Sequence, residues 1–248
     1  MNFKSMNELK LWIKCHKMYN FDGGSQGECF KIGDKVYKIF IQYIEEEYID
    51  IITYNKDDIM QFSHIVNNTY IWPNDIIMVG DMVVGYIMDY IDARSLCNIN
   101  PLYVNLDKFE SFLEKADEDI KVISNNGVKT FDVMYNIMYG KNGFKVIDSV
   151  EYSLCDMDSA ELFKINSKNF YYEIRLFLTY GYFDEFIFNY NHLYRMCNDT
   201  EVKVLDFLKE FRRILSENEG FEITKLGDAK KSVHVKKIKN LYYVRNFV

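Results

Sequence analysis

The sequence predicts an α+β fold of two lobes, a small antiparallel β-sheet lobe followed by a mostly helical lobe. Strand-like runs separated by turn residues fill much of residues 20–90, a polar break lies at Asp92–Leu96, and apolar residues recur at helical spacing through most of the rest. We therefore expect an N-lobe over residues 1–91 and a C-lobe over residues 92–248. The 248 residues are 48% hydrophobic, enough for a sizeable core.

Charge and cysteine content restrict the class of protein. The net charge of −7 argues against a general nucleic-acid binder, which needs a positive surface. No stretch approaches the roughly 20 apolar residues that cross a bilayer. The five cysteines and four histidines are scattered without zinc-ligand spacing, which indicates reduced thiols. We expect a cytoplasmic protein whose partners include neither nucleic acid nor membrane.

The predicted N-lobe contains two helical segments and two strand pairs. Apolar periodicity predicts an amphipathic helix over residues 5–17. Residues 43–65, rich in Glu, Asp and Ile, are expected to be largely helical, as two helices broken near Thr53–Asn55. A Gly33-Asp34 turn predicts a hairpin of Phe30–Ile32 and Val36–Phe40. Two further strands, Asp75–Val79 and Met82–Tyr90, follow.

The predicted C-lobe is helical apart from one small hairpin. A helix is expected over Leu106–Ile123, ended by Asn125-Asn126-Gly127. A hairpin of Asn136–Tyr139 and Phe144–Ile147 comes next, and Ser159–Glu217 is expected to be mostly helical, with short strands over Lys236–Val244.

A glycine-rich turn and a lysine form the first candidate constellation. The turn carries Gly24 and Gly27, and Lys38 follows on the next predicted strand. Glycines let backbone N–H groups approach phosphate, and a lysine beside them reaches the same phosphates. A Walker loop and a dinucleotide-binding fold are both excluded, since no GxxxxGK[ST] occurs and the glycines precede a strand rather than a helix. The alternative is an ordinary hairpin with an exposed lysine.

Three oxygen-bearing residues form the second constellation. Asp132 precedes the second hairpin, Asn136 begins it, and Asp148 follows its last strand, so the hairpin brings Asn136 and Asp148 close together. Such hard oxygen ligands suit Mg²⁺ carried by phosphates. Asp132 is then placed to orient or deprotonate an attacking hydroxyl. The alternative is that aspartate and asparagine merely favour turns at hairpin ends.

Taken together and in order, these segments resemble the protein kinase superfamily over about residues 18–152. Gly24 and Gly27 match the last two glycines of GxGxxG, and Asp22 stands at the first. The resemblance implies that Cys29 covers the adenine of ATP and that Lys38 is the phosphate-binding lysine.

The same resemblance assigns a hinge and a catalytic loop. It makes Met88 the gatekeeper and implies adenine contacts from the backbone of Asp89 and Ile91. It further implies that Asp132 and Lys38 are the catalytic residues and that Mg²⁺ is bound by Asn136 and Asp148, as in the kinase catalytic loop and DFG segment. The implied cofactors are ATP and Mg²⁺.

The chain also departs from the kinase pattern. The HRD triplet reads Thr130-Phe131-Asp132, Asp132 and Asn136 are four rather than five positions apart, and Asp148 is followed by Ser149-Val150. In these respects the chain is similar to divergent bacterial kinases related to aminoglycoside and choline phosphotransferases. The acidic helix partner of Lys38 is not assigned; Glu47 ranks slightly ahead of Asp57 and Asp58.

The sequence thus predicts an ATP-dependent phosphotransferase that moves the γ-phosphate to a hydroxyl of a protein or a small molecule. Two alternatives stay open. One is a pseudokinase that acts as a nucleotide-binding or interaction scaffold, and the other is a nucleotidyltransferase on the same fold, because a fold does not fix its chemistry.

Overall fold

The computed structural model describes residues 1–24, 26–44 and 53–234, and the backbone alone of residues 21–24. It divides into two compact units. Unit 1 contains Met1–Val66, Ile71–Asp92 and Asp148–Val150; unit 2 contains Asn67–Tyr70, Ala93–Ile147 and the chain from Glu151 on. The α+β class is confirmed, because unit 1 is built on an almost wholly antiparallel sheet and unit 2 is mostly helical. This architecture fits the predicted protein-kinase-like fold.

Unit 1 is built on a six-stranded sheet in the order β1-β5-β6-β4-β3-β2. All neighbouring strands are antiparallel except β1 and β5. The strands are β1 Asn2–Phe3, β2 Asn20–Gly24, β3 Gly27–Ile32, β4 Lys35–Phe40, β5 Asp75–Val79 and β6 Met82–Asp89. The two predicted strand pairs are confirmed, and Gly33 and Gly80 have the positive φ that their tight turns require.

Helix α1, Met6–His16, covers one face of this sheet. Ser5 caps it by accepting a hydrogen bond from the Glu8 N–H, which satisfies one of the free donors of the first turn. Leu9 is completely buried, and Trp12 packs edge-on against Phe30 with ring centroids 5.5 Å apart. The predicted amphipathic helix is therefore confirmed.

The opposite face of the sheet carries Lys38. Cys29, Lys38 and Tyr86 are direct cross-strand neighbours on β3, β4 and β6, so their side chains project from the same face. This row borders a buried apolar cluster that includes Tyr86 itself. Its members are Val36, Phe40, Ile59, Ile76, Val83, Tyr86 and Met88. Lys38 is thus held in a mainly apolar surface.

In the stretch over residues 43–65 that was predicted to be largely helical, residues 45–52 lie beyond the described residues. Residues 53–55 are non-helical, in agreement with the predicted break, but the helix that follows is shorter than predicted. Here the chain forms a 3₁₀ turn at Ile41–Tyr43, the short helix α2 at Lys56–Met60, and turns over 61–64. Tertiary hydrogen bonds compete with helix continuation: the Ser63 hydroxyl donates to the Pro73 carbonyl at 2.7 Å, and Trp72 Nε1 donates to the Ile65 carbonyl at 2.9 Å.

Unit 2 contains five helices among its described residues. They are α3 Leu106–Asn125, α4 Ser159–Thr179, α5 Asp184–Asn189, α6 Asn191–Asn198 and α7 Val204–Glu219. Phe109 of α3 lies at the centre of the core, with its ring centroid 4.9 Å from that of Phe144 and 5.8 Å from that of Phe177. The helices predicted for this part of the chain are confirmed, and Phe170, Tyr171 and Phe177 of α4 are buried in the core.

Two small sheets complete unit 2. Strands β7 Ala93–Ser95, β9 Ile137–Gly140 and β10 Gly143–Val146 form the first, and β8 Val128–Lys129 pairs with β11 Ser153–Leu154 in the second. The predicted second hairpin is confirmed to within one residue. The prediction of a turn at Asp92–Leu96 is wrong at residues 93–95, since these pair with β9, a contact that the local sequence does not encode.

Two further predictions have different outcomes. The short strands expected over 236–244 lie outside the described residues. None of the helices in the described part of the chain has the length and apolar character needed to span a membrane.

Candidate functional site

Lys38 and Asp148, predicted separately from two distant segments, form an ion pair within unit 1. Lys38 Nζ lies 2.6 Å from Asp148 Oδ1, although the residues are 110 positions apart. The side chains are only 9% and 17% exposed, so water screens the pair weakly. The pair therefore places a buried cation and a carboxylate next to each other on the face of the sheet that carries Lys38.

Tyr86 completes this arrangement and was not predicted. Its hydroxyl donates to the same Asp148 Oδ1 at 3.1 Å, and its ring centroid lies 5.7 Å from Lys38 Nζ. Burial, and next the negative charge of Asp148, raise the pKa of Tyr86 well above its usual value, so the phenol keeps its proton. The available sequence signal was the register, because Tyr86 stands opposite Lys38 once β4 and β6 are paired.

Left-handed backbone conformations cluster in the predicted catalytic segments. Among the described residues, three non-glycine residues have positive φ: Asp132 at 43°, Tyr135 at 68° and Asp148 at 63°. Aspartate tolerates this region better than most residues, yet it remains uncommon outside glycine. Strained conformations accumulate at functional sites, and these three fall within the 17 residues that include both predicted carboxylates.

The loop that carries Asp132 and Asn136 belongs to unit 2 and is held by its own hydrogen bonds. Asn136 Nδ2 donates to the Asp132 carbonyl at 2.8 Å, and the Asn136 N–H donates to the Val133 carbonyl at 3.1 Å. Val133 is buried, whereas Asp132 is exposed. The amide group of Asn136 is therefore anchored through its nitrogen, the end that cannot bind a cation.

The glycine-rich turn forms as predicted, but one of its glycines has a second explanation. Gly24 at the end of β2 is paired with Gly27 at the start of β3, and Ser25 between them lies outside the described residues. A Cβ placed on Gly27 would lie 2.3 Å from the Ile39 carbonyl oxygen. The close approach of β4 thus requires glycine at 27 whether or not phosphate binds there.

Of the predicted adenine-binding residues, Cys29 lies on β3, Met88 and Asp89 end β6, and Ile91 follows it. Met88 is buried opposite Val36, Cys29 is half-buried against the same apolar cluster, and Ile91 is half-buried beyond the strand. Asp89 accepts hydrogen bonds from Lys35 and, at 3.0 Å, from Asn74 Nδ2. The hydrogen bond from Lys35 lowers the pKa of the Asp89 carboxyl below its usual value.

Among the described residues, the acidic partner of Lys38 is Asp148. Glu47 lies outside the described residues, and Asp57 and Asp58 are exposed on α2. Within residues 1–24, 26–44 and 53–234, no group of three or more His, Cys, Asp or Glu side chains is arranged to hold a metal ion. The amide oxygen of Asn136 and the carboxylate of Asp148 are each ligand types that suit Mg²⁺.

Comparisons with known proteins give structural similarity only. No family model matches the chain, and no curated protein does. The structure is similar to the Cydia pomonella granulovirus kinase PK-1, with 13% identity, a TM-score of 0.40, and coverage of 59% of each chain. It is also similar to the Legionella pneumophila Lpg2603 kinase bound to IP6, with 15% identity, a TM-score of 0.40, and coverage of 87% of this chain and 80% of that one.

Proposed function

We propose that this chain is an ATP-dependent phosphotransferase that moves the γ-phosphate to a hydroxyl of a protein or a small molecule. The observation that carries the proposal is the shielded Lys38–Asp148 pair, with Asp148 held in a left-handed conformation. A buried charge pair is often no more stabilising than apolar side chains of the same size. Its presence beside a glycine-rich turn is therefore better explained by chemistry than by stability.

Each residue has a defined task in the proposed reaction. Lys38 supplies a cation with two further N–H donors for phosphate oxygens, since one N–H is already directed at Asp148. Asp132 accepts the proton of the acceptor hydroxyl, and the backbone of the turn from Gly24 to Gly27 donates to phosphate. Cys29, Met88, Asp89 and Ile91 contact the adenine.

The donor set is compatible with magnesium. Both described hydrogen bonds of Asp148 fall on Oδ1. Asn136, anchored through Nδ2, presents an amide oxygen as its cation-binding atom. Asn136 and Asp148 would hold the Mg²⁺, which when bound would supply charge neutralisation for the transferred phosphoryl group. Tyr86 fixes the orientation of the Asp148 carboxylate through its hydrogen bond.

A scaffold without phosphotransfer is the second candidate, and one observation favours it. Lys38 and Tyr86 both donate to Asp148 Oδ1, as expected if the pair only stabilises the sheet. The departures at Thr130-Phe131-Asp132 and Ser149-Val150 are consistent with lost catalysis. In this case the chain binds partners without transferring phosphate.

The first experiment is a thermal melt with ATP or ADP, with and without Mg²⁺. A ligand at about 100 times its dissociation constant stabilises the folded state by about 2.7 kcal/mol, which gives a clear rise in Tm. We expect a Mg²⁺-dependent rise that Asp148→Asn abolishes. Asparagine keeps the size of the side chain and tolerates the left-handed backbone. The matched control is Lys35→Met, which removes the other lysine of the strand that carries Lys38; this variant should retain the rise in Tm.

A second experiment separates the candidate functions. Purified protein is incubated with ATP labelled at either the γ- or the α-phosphate, with autophosphorylation and a panel of small alcohols as acceptors. γ-label transfer that falls at least about 100-fold in Asp132→Asn supports the phosphotransferase, by the size expected for a lost general base. Transfer of α-label supports nucleotidyl transfer. A nucleotide-dependent melt without transfer of either label supports the scaffold, and a melt that no nucleotide changes overturns nucleotide binding altogether.

A further inference from the structure

Unit 2 contains a cavity that the proposed reaction does not use. It has a volume of about 670 Å³ and lies among α3, α4 and the segment that leads into α7. Phe163, Ile165 and Tyr171, all on α4, give it apolar walls; Tyr171 is buried and the other two are half-buried. This volume is within the range of pockets that hold drug-sized molecules.

Four lysines surround the same cavity. Lys121 is on α3, Lys164 and Lys168 are one turn apart on α4, and Lys203 directly precedes α7. Glu201 is the one acidic residue in the described lining. The chain as a whole carries a net charge of −7, so a concave surface with four cations and one carboxylate opposes the general trend. Charge complementarity therefore favours an anionic occupant over a neutral or cationic one.

Among the described residues, the four cavity lysines form no direct ion pair; the acidic group nearest to them in electrostatic effect is the buried Asp117, whose pKa is raised by burial, an effect that Lys203 and Lys121 partly offset. Lys35, Lys38, Arg212 and Arg213 each form an ion pair. Within the described ranges, none of the four cavity lysines forms an ion pair or donates a side-chain hydrogen bond. Lys121 lies over the Phe163 ring, with Nζ 5.9 Å from its centroid, which orients this cation at the cavity wall.

The polar group beneath the cavity is already satisfied. The Tyr171 hydroxyl donates to Asp117 Oδ1 at 2.7 Å. Because this hydroxyl is already hydrogen-bonded, Tyr171 contributes its ring to the cavity surface rather than a free hydrogen-bonding group. The cavity thus combines an apolar floor with a cationic rim.

We infer that this cavity binds a small organic anion with a flat apolar body and a carboxylate, sulfonate or phosphate group. The apolar body lies against Phe163, Ile165 and Tyr171, and the anionic group is held by the lysines. This inference does not depend on phosphotransfer, since Lys38 and Asp148 belong to unit 1 and the cavity residues to unit 2.

A pair of fluorescent probes tests both halves of the inference. The anion 8-anilinonaphthalene-1-sulfonate and the neutral N-phenyl-1-naphthylamine share one apolar body and differ by the sulfonate. We expect saturable binding of the sulfonate with a Kd at least about five-fold lower than that of the neutral probe, the size expected from one or two exposed charge contacts. Inorganic phosphate at the same concentration should not displace it.

Variants then locate the probe. Lys164→Gln/Lys168→Gln should raise the Kd of the sulfonate by about five- to tenfold and leave that of the neutral probe within about twofold. Phe163→Ala should raise both. Lys108→Gln/Lys115→Gln removes two exposed lysines of α3 outside the cavity and is the matched control. Circular dichroism checks that each variant is folded.

Three results overturn the inference. The first is no saturable binding of the sulfonate. The second is an equal effect of the cavity and control pairs, which would indicate a non-specific charge effect. The third is displacement by inorganic phosphate alone, which would indicate a simple anion site. This inference does not fail if the melt shows no nucleotide binding. The two outcomes are separated by Lys38→Ala, which is expected to leave the Kd of the sulfonate probe unchanged.

Discussion

Replacement of Lys38 by methionine tests whether the Lys38–Asp148 pair is a shielded ion pair. Methionine keeps the length of the side chain but removes the cation, which leaves the Asp148 carboxylate with the Tyr86 hydroxyl as its described hydrogen-bond donor. Removal of one partner of a buried pair costs about 3–5 kcal/mol. The Asp148 side chain retains 17% exposure, so we expect a somewhat smaller loss, about 2–4 kcal/mol.

The Asp148→Asn variant and the double variant complete a cycle. Asparagine still accepts hydrogen bonds, so its cost should be smaller, about 1–2 kcal/mol. The double variant has no unpaired charge at this point, so its loss should be smaller than the sum of the single losses by about 1–3 kcal/mol. Urea unfolding followed by circular dichroism gives the free energies of unfolding, provided that the slope with urea is unchanged.

Lys35→Met is the control, because it removes a lysine of the same strand whose ion pair is exposed. A loss in Lys38→Met no larger than in this control would refute the reasoning, as would additive losses in the cycle. Either result would mean that water screens the pair, and that shielding is not available to strengthen contacts with phosphate.

Three further predictions concern single positions. Tyr86→Phe removes the hydrogen-bond donor to Asp148 and should lower the free energy of unfolding by about 1 kcal/mol. In a phosphotransfer assay, its kcat should fall by a larger factor than its KM for ATP rises. Burial raises the pKa of the Asp117 carboxyl above its unfolded value, so the folded carboxyl stays protonated over a pH window in which the unfolded one is ionised, and stability falls as pH rises through that window. Asp117→Asn should remove this pH dependence in thermal melts from pH 3 to 8, and an unchanged profile would contradict the prediction. Gly27→Ala forces a methyl against the Ile39 carbonyl and should destabilise by about 1–3 kcal/mol in the same urea assay, whereas no loss would show that β4 shifts easily.

Local sequence signals were sufficient for most elements. The spacing of Leu9, Trp12 and Ile13 predicted α1, and the turn at Gly33-Asp34 predicted the β3–β4 hairpin, because both patterns arise from contacts within a few residues. The stretch after Asn55 misled for the same reason. Its residues favour helix locally, but tertiary hydrogen bonds from Ser63 and Trp72 end it at Met60.

For the candidate site, too, the sequence predicted some features and the tertiary structure was needed for others. The sequence supplied the chemical types, a lysine after a glycine-rich turn and an aspartate after a hairpin, together with their order. It did not supply Tyr86, whose relevance depends on the register of β4 against β6. The roles of Asp132, Asn136 and the adenine-contacting residues stay predictions, as does the functional division at residue 91.

The sequence by itself determined where most helices, strands and turns form and which residues carry charge, since these follow from local periodicity and side-chain chemistry. The tertiary structure alone decided that Asp148 is the partner of Lys38, that Tyr86 donates to the same oxygen, and that four lysines from three segments share one cavity. Each of these contacts joins residues far apart in the chain. Their formation depends on strand register and helix packing, which are set by the burial of apolar surface across the whole fold and not by the neighbours of any one residue.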